Sequence, residues 1–62
     1  MAIKNVNYFV KYNGQTDSTI TNGETYECVS ESYYNYKLLS LGVIDDTNEE
    51  YQYSPEVFDK IA

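Results

Sequence analysis

Residues 41–58, LGVIDDTNEEYQYSPEVF, constrain the possible folds more than any other part of this sequence. Apolar residues lead into a polar turn at residues 45–48, and tyrosines then alternate with polar residues. Alternation of period 2 next to such a turn predicts a β-hairpin. Pro55 cannot donate a hydrogen bond within a sheet, so we expect the second strand to end before it. One short 3-10 turn is expected between Pro55 and Phe58, folded back as a lid on the core.

The rest of the chain also has the pattern of strands separated by turns. Alternating apolar and polar residues predict strands at residues 3–12 and 24–31. Residues 36–44 form a β-rich segment that does not alternate cleanly, and residues 59–61 are expected to add a last short strand that pairs with the beginning of the chain. Asparagine–glycine pairs and a short link predict three turns: residues 13–14, 22–23 and 33–35. In residues 24–31, Tyr26 and Cys28 share the core face and the carboxylates lie on the other face. Adjacent leucines followed by Gly42 predict a bulge or bend in residues 36–44.

These elements predict an all-β fold, a small five-stranded barrel that forms one domain over residues 1–62. No segment has convincing helical periodicity. A chain of 62 residues is too short for the two full sheets of a sandwich, and closing one sheet removes its exposed edges. The core of such a small domain is thin, and Cys28, the only cysteine, cannot form an internal disulfide.

The composition argues against several classes of partner. The chain has ten carboxylates, four lysines and a net charge of −6, which repels nucleic acid and anionic membranes. Without arginine it cannot make bidentate contacts to phosphate or guanine. No apolar run is long enough to cross a bilayer, and the first residues lack the apolar segment of a signal peptide. We therefore predict a cytoplasmic protein that binds neither nucleic acid nor membranes.

The sequence predicts no catalytic, cofactor or metal site. Cys28 is expected to face the core without a basic neighbour, where a thiol is inert. Four carboxylates, those of Asp45, Asp46, Glu49 and Glu50, surround one turn, but their spacing lacks the alternating ligands and the glycine of a calcium loop. We interpret this turn as a solvated hairpin tip whose charges prevent edge pairing. The chain is therefore predicted not to be an enzyme and to need no cofactor.

The order of the elements resembles a Src-homology-3-like barrel, with a long first loop, a tight hairpin and a proline-bearing helical turn before the last strand. The segments TNGETYECV and IDDTNEEYQYSPEVF are also similar to short uncharacterised proteins of Gram-positive bacteria and their phages. The resemblance implies an aromatic groove for proline-rich peptides. It implies that Pro55 matches the groove proline and Phe58 the aromatic residue three positions later. Tyr33 or Tyr34 would lie near the position of the groove tryptophan in that family, and this chain has no tryptophan.

The eight tyrosines are the main candidates for a binding surface, because tyrosine combines a large rigid contact area with a polar tip. Tyr26, Tyr51 and Tyr53 are predicted to fill the core, whereas Tyr33 and Tyr34 are equally compatible with the core and the surface. Five residues are predicted to bind a partner: Tyr33, Tyr34, Tyr36, Pro55 and Phe58.

The sequence therefore predicts a non-catalytic interaction or accessory domain that binds an unidentified protein or peptide, as a monomer or a weak homodimer. One alternative is an acidic inhibitor or nucleic-acid mimic of bacterial or phage origin, in which Glu27, Glu31, Glu49 and Glu50 imitate phosphates. A second alternative is a structural subunit of a homo-oligomer.

Overall fold

The computed structural model describes residues 2–61, which form five β-strands and one 3-10 turn. These elements are, in chain order, β1 (Ala2–Tyr12), β2 (Thr25–Tyr34), β3 (Lys37–Ile44), β4 (Glu50–Tyr53), the 3-10 turn (Pro55–Val57) and β5 (Phe58–Lys60). All neighbouring strands are antiparallel, and they form one sheet in the order β4-β3-β2-β1-β5. The prediction of five strands and a 3-10 turn in an all-β fold is confirmed.

The 3-10 turn connects the two edge strands of the sheet. Ser54 Oγ accepts a hydrogen bond from the backbone of the turn, and Pro55 occupies its first residue, where an N–H is not needed. Phe58 then pairs with Tyr12 at the end of β1. The Phe58 ring lies 5.4 Å from the Tyr12 ring and 5.9 Å from the Tyr53 ring, between centroids. Side chains thus connect β4 with β5, although no backbone pairing joins these two strands within residues 2–61.

The core is small and draws on all strands except β4, together with the loop after β1. Its buried apolar side chains are Val10, Tyr12, Ile20, Tyr26, Cys28, Leu41, Val43 and Phe58. Ile20 reaches the core because the Asp17 carboxylate accepts hydrogen bonds from the backbone N–H groups of Thr19 and Ile20, which folds the loop inward. Each large apolar side chain buried in this way stabilises the fold by about 1.5–3 kcal/mol.

The ladder between β2 and β3 changes register opposite Gly42. Cys28 pairs with Val43, but Ser30 pairs with Gly42, so Val29 has no partner on β3. The predicted bulge near Gly42 is therefore present, with its extra residue on the neighbouring strand. A Cβ at position 42 would force Ser30 Oγ and the Glu50 carboxylate out of their positions, so glycine fits here without rearrangement.

The bulge turns Glu31 toward the core face of the sheet. Glu31 pairs directly with the buried Leu41, and directly paired side chains share a face. The prediction that the carboxylates of β2 all point away from the core is wrong at Glu31, because one extra residue reverses the faces of a strand. A second register shift leaves Leu39 without a partner on β2, which accounts for the adjacent leucines of β3.

The strand β2 is longer than predicted, and the turn after it is shorter. A turn was expected at residues 33–35, but Tyr33 and Tyr34 belong to β2. Only Asn35 and Tyr36 connect β2 to β3, and their φ angles are +50° and +64°. Two central residues with positive φ define a type I′ turn, whose twist matches that of the flanking strands. The tight turn requires a positive φ at Tyr36, although tyrosine normally adopts a negative φ.

Two of the three tyrosines predicted to fill the core do so. Tyr26 is buried, and Tyr53 is half-buried against the core. Tyr51 is instead 50% exposed, so its prediction is wrong. It pairs with the buried Val43, but it stands in the edge strand β4, beyond which no strand covers it within residues 2–61.

Candidate interaction surface

Three strands extend beyond the part of the sheet that all five strands share. β5 pairs only with residues 10–12 of β1, and β4 pairs only with residues 41–44 of β3. We call the remaining three-stranded part, with its turn, the hairpin end. It consists of residues 2–3 of β1 and residues 32–40, which contain the end of β2, the turn and the beginning of β3. The described chain is accordingly elongated, with extents of 31 × 20 × 19 Å.

Apolar side chains are exposed on each strand of the hairpin end. Ile3 is 69% exposed, Tyr34 57% and Leu39 44%, and Tyr36 in the turn is exposed completely. We call these four residues the hairpin-end surface. Their concentration on three neighbouring strands distinguishes them from scattered exposed apolar residues, and clustered apolar exposure marks contact sites.

An open pocket of about 610 Å³ adjoins this surface. It is lined by Ala2 and Lys4 of β1, Tyr33 of β2, and Asn35 and Tyr36 of the turn. Ala2 pairs with Tyr33 across the strands, so one face of the hairpin end forms the floor of the pocket. The lining combines aromatic rings with one ammonium group and one amide, which suits an apolar group that carries a polar or anionic end.

Glu31 fixes the tyrosines beside the pocket. Its carboxylate accepts hydrogen bonds from the Tyr8 hydroxyl at 2.5 Å and from the Tyr33 hydroxyl at 2.8 Å. The Lys60 ammonium lies 4.3 Å from the centroid of the Tyr8 ring, in a cation–π contact. Lys4 pairs with Glu31 across β1 and β2. A carboxylate that the bulge turns inward thus holds Tyr33 in one orientation.

The pKa values of this cluster follow from its geometry. The hydrogen bond from Tyr8 lowers the pKa of Glu31 against the opposing effect of burial, and Tyr33, Lys4 and Lys60 lower it further. Burial raises the pKa of Tyr8, and the hydrogen bond to Glu31 raises it more. The same type of hydrogen bond raises the pKa of Tyr33. At neutral pH the cluster is therefore one carboxylate with two neutral hydroxyl donors, an arrangement that orients the two tyrosine side chains.

The structure places three of the five residues predicted to bind a partner at the hairpin end. Tyr33 and Tyr36 line the pocket, whereas Tyr34, the residue after Tyr33 on β2, points to the opposite face of the sheet. Phe58 is only 8% exposed and pairs with Tyr12, at the opposite end of β1 from the hairpin end. Pro55 is half-buried in the 3-10 turn that precedes Phe58. Tyr33 and Phe58 therefore do not share one aromatic surface.

Residues of this surface that the sequence analysis did not single out are Ile3, Lys4, Asn35 and Leu39. Ile3 has the clearest signal, because β1 places it on the side of the strand opposite the buried Val10 and Tyr12. The position of Leu39 on this surface depends on the second register shift, and no single residue type in the sequence signals such a shift.

The carboxylates of the β3–β4 turn are engaged in the fold to different degrees. Asp45 is buried, although we expected a solvated tip. It accepts hydrogen bonds from the Thr47 backbone N–H, the Thr47 hydroxyl and the Tyr53 hydroxyl, and these bonds lower its pKa, with the Thr47 hydroxyl contributing most. Asp46, Glu49 and Glu50 are exposed, as predicted. Asp45 therefore stabilises the turn and joins it to β4.

The remaining candidates for chemistry are grouped metal-ligating side chains and the thiol of Cys28. Within residues 2–61, no three histidine, cysteine, aspartate or glutamate side chains are grouped to hold a metal ion. Cys28 is fully buried, and burial raises the pKa of its thiol, as expected for an inert cysteine. The same residues contain no helix with the length and apolarity to cross a membrane.

Comparisons with family models, with curated proteins and with solved structures gave no match for this chain.

Proposed function

We propose that this chain is a non-catalytic interaction domain that binds a partner protein or peptide at its hairpin end. The observation that carries the proposal is Tyr36, a fully exposed aromatic residue held in a left-handed backbone conformation. A non-glycine residue in that region is strained by about 1–3 kcal/mol. The side chain of Tyr36 is solvated, so no burial in the chain itself offsets this strain.

The chemistry of the hairpin end suits recognition of another polypeptide. Tyrosines are enriched at the energetically dominant positions of protein interfaces, because their rings bury much area at low entropic cost. Tyr33 is held by Glu31, so its orientation is fixed before a partner arrives. Tyr34 and Ile3 add exposed apolar area on the other face of the hairpin end.

The same proposal includes the fold class, a Src-homology-3-like barrel. Its support is the strand order β4-β3-β2-β1-β5, the 3-10 turn before the last strand, and the contact between Tyr53 and Phe58 that brings the two edge strands together. The partner surface differs from the groove that the resemblance implies, because Phe58 is buried. The hairpin between β2 and β3 takes its place.

An acidic mimic of nucleic acid has less support. Of its four carboxylates, Glu31 is engaged by two tyrosine hydroxyls and Glu50 accepts a hydrogen bond from Ser30. Glu49 also accepts a hydrogen bond, from the Tyr51 hydroxyl, so three of the four carboxylates are already engaged within the chain.

The test is capture of a partner from an extract of the source cells by the immobilised chain and two variants. Tyr34→Ser combined with Tyr36→Ser removes the exposed rings of the hairpin end without touching the core. Tyr51→Ser, on β4, removes a half-exposed tyrosine elsewhere and serves as the control. We expect a protein retained by the wild type and the control but lost with the double variant, at unchanged far-ultraviolet circular dichroism. Retention by all three chains would refute the proposal, whereas loss caused by added salt alone would favour the acidic mimic.

A further inference from the structure

The outer edge of β1 is unpaired over most of its length. The backbone N–H of Ile61 donates to the Phe9 carbonyl, and β5 pairs with residues 10–12. From there toward the beginning of β1, residues 2–8 have β2 on one side and, among residues 2–61, no strand on the other. This free edge is about 23 Å long at 3.3 Å per residue. Unpaired N–H and C=O groups along such an edge are a template for an added strand.

The charge along this edge is opposite to that of the whole chain. The first sixteen residues contain no carboxylate, whereas the chain as a whole has a net charge of −6. Lys4 lies on the edge, and the Lys60 ammonium lies over the Tyr8 ring. The carboxylate facing them is that of Glu31, which already accepts two hydrogen bonds from tyrosine hydroxyls. The edge therefore carries a local net charge of about +1, which attracts anionic groups.

The pocket lies within reach of a strand added at this edge. Its wall on the β1 side is formed by Ala2 and Lys4. Side chains on an added strand stand about 5 Å from those of the strand that it pairs with. Every second side chain of such a strand would therefore point toward the rings of Tyr33 and Tyr36 and the ammonium of Lys4.

We infer that residues 2–8 of β1 bind an extended acidic peptide segment as an added strand, with an apolar side chain of that segment in the pocket and its carboxylates near Lys4 and Lys60. The inference rests on the proposed function and names the class of its partner. Main-chain hydrogen bonds supply affinity, and the pocket and the two lysines supply selectivity. A second copy of this chain fits the edge less well, since pairing β1 with β1 would bring the lysines of both copies and two net charges of −6 together.

Three synthetic octapeptides with blocked ends test this inference by nuclear magnetic resonance titration of the 15N-labelled chain. The first alternates glutamate and valine, the second replaces each glutamate by lysine, and the third is the first peptide with every second backbone amide methylated. We expect the glutamate peptide to shift the amides of residues 2–8 and of Tyr33. Binding of the lysine peptide should be at least tenfold weaker, and the methylated peptide should lose at least tenfold because it lacks alternate donors.

Substitutions of single lysines test which ammonium groups contact the carboxylates of the bound peptide. Lys4→Gln and Lys60→Gln should each weaken binding of the glutamate peptide by about 2- to 5-fold, the range for exposed ion pairs. Lys37→Gln is the matched control, because Lys37 is an exposed lysine on β3, at the other edge of the hairpin end. Its affinity should equal that of the wild type.

Three results would overturn the inference: no binding of the glutamate peptide at millimolar concentration, equal binding of the lysine peptide, or shifts confined to the free edge of β3. Sedimentation of the free chain as a dimer whose formation excludes the peptide would assign the edge to a second copy instead. These failures leave the proposed function standing if Tyr34→Ser with Tyr36→Ser still abolishes capture of the cellular partner. If the glutamate peptide does not bind and the double variant still captures the cellular partner, both proposals are refuted.

Discussion

Replacing Tyr36 by glycine is expected to stabilise the fold, although it removes an aromatic side chain. The backbone of Tyr36 has φ +64°, at the second central position of the β2–β3 turn. Relief of left-handed strain contributes about 1–3 kcal/mol, and the greater freedom of glycine in the unfolded chain opposes it by about 0.5–1 kcal/mol. The Tyr36 side chain is fully exposed, so no packing is lost. The net gain is about 1 kcal/mol, equivalent to about 4–8 °C in Tm for a domain of this size.

Two control variants separate the backbone effect from the side-chain effect. Tyr36→Ala removes the ring but keeps a Cβ in the same strained conformation, so its stability should stay within about 0.5 kcal/mol of the wild type. Gly23→Ala is the reverse test, because Gly23 has φ +86° and open space around an added Cβ. It should destabilise the fold by about 1 kcal/mol through the backbone alone.

Urea denaturation followed by tyrosine fluorescence gives these free energies directly, and m-values equal among the variants would show that the unfolding reaction is the same. If Tyr36→Gly and Tyr36→Ala have equal stability, the backbone at position 36 is not strained, and the observation that carries the proposed function disappears. If Tyr36→Gly raises stability and also abolishes partner capture, the chain retains a strained tyrosine for binding.

Three further predictions concern the core face of the sheet. Glu31→Gln should destabilise the fold by about 1.5 kcal/mol at pH 7, because hydrogen bonds to a charged group are lost. Since the pKa of Glu31 lies below its ordinary value of 4.5, this contribution is present above that pH and disappears as the pH falls through the lowered pKa. Urea midpoints of wild type and variant should therefore converge in acid, and a difference independent of pH would contradict this. Gly42→Ala should destabilise by about 1–3 kcal/mol through collision with Ser30 Oγ, and Ser30→Ala in the same chain should recover part of the loss in thermal denaturation. Cys28 should react with a thiol reagent only at the rate of unfolding, and rapid labelling of the native chain would refute its burial.

The strands and their order along the chain were largely predictable from local pattern. Pro55 ended β4 because it has no N–H, and the polar residues 45–48 formed the turn before β4. Such features act within a few residues of one another, so they can be recognised without knowledge of the rest of the fold. The buried Asp45 was missed because its partner Tyr53 lies on the far side of the turn.

The faces of the strands were less predictable, because they depend on pairing between distant segments. Val29 is an ordinary strand residue, and nothing in its identity indicates that it lacks a partner on β3. The β2–β3 turn was misplaced for a related reason. A type I′ turn is normally signalled by glycine, and Tyr36 occupies the position where glycine would indicate it.

The structure separates aromatic residues that the sequence alone could not distinguish. Phe58 and Tyr36 were equal candidates for binding, but β5 places Phe58 against the ring of Tyr12 in the core. The exposure of an aromatic residue therefore depends on what packs against its side chain, which is a property of the whole fold.

The unpaired Val29 connects the fold to the candidate surface. Without the register shift at Val29, Glu31 and Tyr33 would both point away from the core, because they lie two residues apart on β2 beyond the shift. Glu31 could then not accept the hydrogen bond from Tyr8, and the Tyr33 ring would leave the face on which Ala2 and Lys4 line the pocket. The shift lies opposite Val43 and Gly42, which β4 still accompanies, and directly precedes the three-stranded hairpin end. One extra residue in β2 thus places both the carboxylate and the ring that it orients on the pocket side of the sheet.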